Sequence, residues 1–180
     1  MKIVLEPGAS FKERGISIPQ ISEADISDIV IKACSDSLEE FGVEHSRLFS
    51  PMEKVGVGEL AIQISVGYDE KQKSKNASVV EGEGELALLL GETLAEWGRC
   101  FSFGHQIKTR EGPTPSRVRL ELFAINGIDA EQYLCRLSQL GREIAQSVAS
   151  FTIQAQQARQ RPVETPAKIP DSLRQLFDFS

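Results

Sequence analysis

Lys2-Ile3-Val4-Leu5-Glu6-Pro7-Gly8-Ala9-Ser10 begins as an apolar run and is halted by Glu6-Pro7-Gly8. A short apolar run closed by Pro-Gly reads as a buried strand that hands the chain to a turn. A polar loop extends to Gln20. Ser22-Glu23-Ala24-Asp25 then has the form of a helix N-cap with an acidic first turn, where carboxylates meet unpaired N–H groups. Ile26, Ile29, Val30, Ala33, Leu38 and Phe41 fall on one broad helical face, and Gly42 suits the stop. This strand–turn–helix start sets the class.

Further along, Val43 to Leu48 reads as a second strand and Glu59 to Val66 as a third. Residues 69–84 are polar and Gly-bearing and read as a long mobile excursion. Glu85 to Trp97 presents Leu86, Leu89, Leu90, Leu94 and Trp97 on one side of a helix. Thr109 to Ser116 is a loop holding two prolines. Arg117 to Phe123 alternates with period two, hence a strand. Asn126-Gly127 is a turn, and Ala130 to about Arg159 is a long amphipathic helix. Strands alternating with helices predict an α/β domain over residues 1–160: three-layer, a mostly parallel twisted sheet with helices on both faces. Residues 161–180 form a proline-bearing linker, from Pro162 to Pro170, and an apolar tail with Leu173, Leu176, Phe177 and Phe179. Such a tail either caps its own domain or docks on a partner's groove.

Composition narrows the function classes. The 180 residues suit one domain, and 41% hydrophobic with 26% charged residues excludes global disorder. A net charge of −6 argues against a sequence-independent nucleic-acid binder, which needs a basic surface. No segment approaches the ~20 apolar residues of a membrane span. Cys34, Cys100 and Cys135 form no CxxC pair and read as free buried thiols in a reducing compartment. With no signal peptide in the sequence, a cytoplasmic location is expected, and the sequon Asn76-Ala77-Ser78 is then coincidental.

Taken in order, these landmarks resemble the zinc-dependent N-acetylmuramoyl-L-alanine amidases of the cell-wall and phage-endolysin type. In that family the first strand ends in a Gly-His turn whose His binds zinc, and here that position holds Ala9. The second ligand is a Glu opening the first helix, matched by Glu23. The third is a His in a strand of the form Ile-x-Ile-His-x-Asn. Ile62-Gln63-Ile64-Ser65-Val66-Gly67 puts Ser65 at the His and Gly67 at the Asn. The catalytic acid of the family lies in Leu-x-Glu-x-Phe, which places Glu121 there, followed by Asn126 and Asp129. The resemblance covers roughly residues 2 to 155.

The departure has a direct consequence. A catalytic zinc needs three protein ligands and an open position for water. Ala9 has no donor, Ser65 is a poor ligand at neutral pH, and Glu23 alone cannot compete with hydration. Without zinc the water keeps a pKa near its bulk value, and Glu121 has nothing activated to deprotonate. The two carboxylates would then separate, pair with Arg119 or a lysine, or share a proton.

Other chemistry is weaker. His45 and His105 read as surface or satisfied histidines, although His105 with Glu23 and Glu121 would make a relocated zinc site. Cys100 or Ser102 with His105 lacks a nucleophile elbow. Lys108-Thr109-Arg110 with Arg117 and Arg119 reads as a solvated edge or an anion site. Gly82-Glu83-Gly84 lacks the strand-then-GK[ST] context of a phosphate loop. The first reading is a non-catalytic amidase-like domain, needing no cofactor, that binds a protein partner or itself through the tail and forms part of a larger assembly. The alternatives are a hydrolase of the amidase type with an altered metal site, and a small-ligand sensor using the vacated cleft.

Overall fold

The computed structural model describes residues 1–9, 15, 17–18, 21–52, 54–68, 77–99, 106–110, 116–126 and 130–160. β1 (Lys2–Pro7) leads through the short hairpin of β2 (Ser17–Ile18) and β3 (Ile21–Ser22) to α1 (Glu23–Glu40). β4 (His45–Arg47), β5 (Glu59–Gly67) and β6 (Ala77–Glu81) follow. α2 (Gly84–Arg99), β7 (Gln106–Arg110), β8 (Arg117–Ala124), α3 (Ala130–Leu134) and α4 (Leu137–Gln160) complete the order. The main sheet runs β4-β1-β5-β8-β6-β7. Every neighbouring pair is parallel except β6–β8, which is antiparallel. The chain is therefore α/β with a mostly parallel sheet, as its alternating pattern predicts, although α1, α2 and α4 pack together on one face of the sheet where helices on both faces were expected.

Several expectations need correction. Residues 69–84 are not all excursion, because Ala77–Glu81 is β6. Only Ala77, Val79 and Val80 are apolar there, so the pattern is too short to announce a strand. Gln106–Arg110, overlapping the expected loop, is β7. Glu6 and Pro7, read as a turn, remain in β1 and pair with Gln63 and Ile64. The long C-terminal helix breaks at Cys135-Arg136 into α3 and α4.

Local chemistry explains the element ends. Ser22 caps α1 in a reciprocal box: Asp25 N–H donates to Ser22 Oγ (3.3 Å), and Ser22 N–H donates to Asp25 Oδ2 (2.9 Å). At the other end Gly42 takes φ +67°, which a side chain resists. Its N–H donates to Glu39 O and that of Val43 to Leu38 O, both at 3.0 Å, closing a Schellman turn.

Strand alternation divides the sheet into two unlike faces. Ile3, Leu5, Ile62, Ile64, Val80, Val118, Leu120 and Leu122 pack with α1, α2 and α4 into one core. The topology agrees. β1–α1–β4 and β6–α2–β7 step outward in opposite directions from strands of opposite sense, so two right-handed crossovers put both helices on the same face. α4 lies between them. Its Gly141 sits against the backbone of Val30 and the Ala33 side chain, and its Ser147 hydroxyl bonds Thr93 Oγ1 at 2.6 Å. Phe123, Tyr133 and Trp97 form an aromatic cluster that joins α3 and the end of α2 to β8. The Phe123 and Tyr133 rings are stacked at 4.9 Å. The opposite face carries Glu6, Gln63, Ser65, Arg117, Arg119 and Glu121, and the segment at Met52 bonds to it.

Candidate functional site

β1 and β5 end side by side, and Gly8 N–H donates to Ile64 O at 2.6 Å just past the last strand pair. The capping box fixes Glu23 as the first residue of α1, where the helix N-terminus favours its carboxylate. Both features bring the expected positions together. A Cβ on Gly8 would lie 2.5 Å from Glu23 Oε1 and 2.5 Å from Ser65 Cβ, so only glycine fits between them. A Cβ on Gly15 would press on Glu23 Oε2 and lie 2.6 Å from Ala9 Cβ. Gly15 adopts φ +61° and lies close against Glu23. Ala9, Glu23 and Ser65 thus surround one point at the C-terminal ends of β1 and β5, and all three are buried.

Glu121 joins them through the sheet. It is the register partner of Ser65, one residue before the bulge that re-pairs Gly67 with Ala124. Its carboxylate lies over Gly67, where an added Cβ would meet Oε1 and stand 2.9 Å from Cδ. Arg119, one of the alternative partners expected for these carboxylates, pairs with Glu81 at 3.6 Å.

The resemblance implies a zinc ion, and among the described residues the side chains at its expected positions do not supply the three donors. Ala9 offers no donor. Ser65 is 1% exposed and spends its hydroxyl proton on Leu120 O at 3.1 Å. Among the described residues, no three His, Cys, Asp or Glu side chains lie together as a metal site. His105, Asp129 and residues 10–14 lie outside the described residues.

The remaining candidates resolve individually. His45 is satisfied: its Nδ1 lies 2.9 Å from Val43 O, which accepts, and Nε2 lies 2.8 Å from Ser35 Oγ. Cys34 is buried, and burial pushes its thiol up to about 12. Cys135 is exposed, contrary to the buried reading, because it sits at the α3–α4 break. Cys100 and Ser102 lie outside the described residues. Arg117, expected at a solvated edge or an anion site, is engaged instead with buried Glu6 at 2.9 Å. The tail residues Leu173, Leu176, Phe177 and Phe179 also lie outside the described residues. Among the described residues no helix is long and apolar enough to cross a membrane.

The Glu6–Arg117 pair is what the sequence reading missed. Their strands are separated by β5, and Ala61, the partner of Arg117 in the register, has too little bulk to block the guanidinium. An acidic residue inside a run that is otherwise buried was the available signal.

This architecture, with its site at the strand ends, is the α/β fold of N-acetylmuramoyl-L-alanine amidases. Among solved structures it is similar to the amidase AmiC2 of Nostoc punctiforme, with TM-score 0.65 and 15% identity over 87% of this chain and 97% of that one. It is also similar to the catalytic domain of CwlV from Bacillus (Paenibacillus) polymyxa, with TM-score 0.65 and 14% identity over 87% and 99%. A third is the CwlD amidase of Clostridioides difficile, solved in complex with the GerS lipoprotein, with TM-score 0.63 and 13% identity over 87% and 98%. No protein-family model matches the chain, and no curated protein does.

Proposed function

We propose that this chain is an amidase-fold domain that has given up zinc-dependent hydrolysis and works as a binding or interaction module. One observation carries the reading: Ala9 and Ser65 flank Glu23 where the resembling family has two histidines. A single buried carboxylate does not hold zinc against water, and Glu121 then has no metal-activated water to use. The close approach of Gly15 to Glu23 and Ala9 further supports a narrowed site.

The partner is proposed to be a protein or a second copy, engaged through Leu173, Leu176, Phe177 and Phe179. The Clostridioides difficile CwlD amidase was solved bound to a lipoprotein, which supports an interaction role for this fold. A cytoplasmic location belongs to the same proposal and is checked by fractionation.

Elemental analysis of purified protein should find no stoichiometric zinc, and incubation with peptidoglycan should release no product. Stoichiometric zinc, or cleavage, would overturn the reading. Ala9→His combined with Ser65→His should gain zinc affinity, since a retained geometry needs only its donors restored. Absence of any gain in a folded double variant would count against the assignment of those positions.

A further inference from the structure

Among the described residues, the buried hydroxyls of Ser22, Ser27, Ser65, Ser78, Thr93 and Thr152 each meet a partner within the chain. Ser37, on α1, departs from that pattern. It is 6% exposed, and its hydroxyl makes no hydrogen bond among the described residues. Leaving a buried hydroxyl unpaired is costly, so the exception asks for a reason.

Ser37 lines a groove of about 630 Å³ between α1 and α4, a size that small molecules occupy. Ile29, 39% exposed, and Ala33 give the groove an apolar strip. Its charges divide unevenly. Asp28 is taken by Arg47 of β4, and Lys32 pairs with Asp36 at 3.0 Å. Glu40, at the end of α1, and Arg142 of α4 line the same groove, yet neither makes an ion pair among the described residues. One anion, one cation and one buried hydroxyl are therefore left uncommitted around a single volume.

We propose that this groove binds a small zwitterion of the α-amino-acid class. The ligand's carboxylate meets the Arg142 guanidinium, whose planar fork suits it, and its ammonium meets Glu40. The Ser37 hydroxyl bonds a polar atom of the same ligand, while Ile29 and Ala33 take its apolar part. The inference goes beyond the interaction reading and does not rest on it, since Ala9, Glu23 and Ser65 are not among the walls of the groove.

The test titrates each of the twenty common amino acids into the isotopically labelled full chain and follows the backbone amide signals by NMR. At least one should shift signals of residues 32–40 and 138–142 together. Its N-acetyl and amide derivatives, each lacking one charge, should bind about tenfold more weakly, as should the parent amino acid to Arg142→Gln and to Glu40→Gln. Ser37→Ala should weaken binding without lowering the melting temperature, because the hydroxyl it removes has no partner in the fold. Silence from all twenty amino acids overturns the proposal. So does a response confined to residues outside the groove, or binding indifferent to both charge variants. A melting temperature lowered by Ser37→Ala also counts against it, since the hydroxyl would then serve the fold rather than a ligand.

Discussion

At the scale of residues, Glu6 reports on the sheet's polar face most sharply. Burial pushes its carboxyl above the usual 4.5, while the Met52 N–H and the Arg117 guanidinium pull it back down. The folded state therefore holds that proton more tightly than the unfolded chain. Its contribution to stability is complete below 4.5 and is lost as pH rises through the raised folded value. The stability difference between wild type and Glu6→Gln, from urea unfolding between pH 4 and 7, should shift against the wild type as pH rises and then level off. A difference independent of pH would refute the assignment. Glu6→Ala leaves Arg117 as an uncompensated buried cation and should cost about 3 kcal/mol, whereas Glu6→Leu with Arg117→Met should recover most of that loss.

At the scale of elements, close packing separates two glycines that look alike in sequence. Gly141 lies inside α4, and a Cβ there would stand 2.5 Å from Val30 O and 2.8 Å from Ala33 Cβ. Gly141→Ala should destabilise by about 1–3 kcal/mol, because backbone cannot yield cheaply, despite the gain of about 1 kcal/mol in helix propensity. Gly91 lies inside α2, where an added Cβ meets only Val80 Cγ2 at 4.0 Å. Gly91→Ala should therefore stabilise by about 0.5–1 kcal/mol. Denaturant unfolding of both variants checks the opposed signs. Such contrasts are invisible in sequence, since they depend on what another element brings close. The helices were legible because their apolar stripes and caps are local: Ser22, Asp25 and Gly42 act where they were read. β6 and β7 were not, because each has five residues and draws its stability from neighbours on the sheet. The convergence of Ala9, Glu23 and Ser65 followed from element ends that the sequence already marked. The Glu6–Arg117 pair needed the strand order, which no local pattern carries.

At the scale of the whole molecule, the buried body stops before α4 does. Thr152 is the last buried residue described on α4, and Ile153 is already 52% exposed. The helix nevertheless runs to Gln160, about 12 Å farther at 1.5 Å per residue. No residue of α4 after Thr152 is fully buried among those described. Leu173, Leu176, Phe177 and Phe179 would each gain roughly 1.5–3 kcal/mol from full burial, so they call for an apolar surface somewhere. With no buried position described on α4 after Thr152, the surface proposed for them is on another molecule. Deleting residues 163–180 should accordingly leave the melting temperature unchanged and abolish self-association or partner capture, measured by light scattering and pull-down. If the tail instead capped this domain, losing even 1 kcal/mol would lower the melting temperature by roughly 2–4 °C, and four buried side chains would cost more. A fall of several degrees with association intact would therefore sink the interaction role of the tail. A deletion that changed neither would remove the tail from the function altogether, leaving the site at Glu23 as its seat.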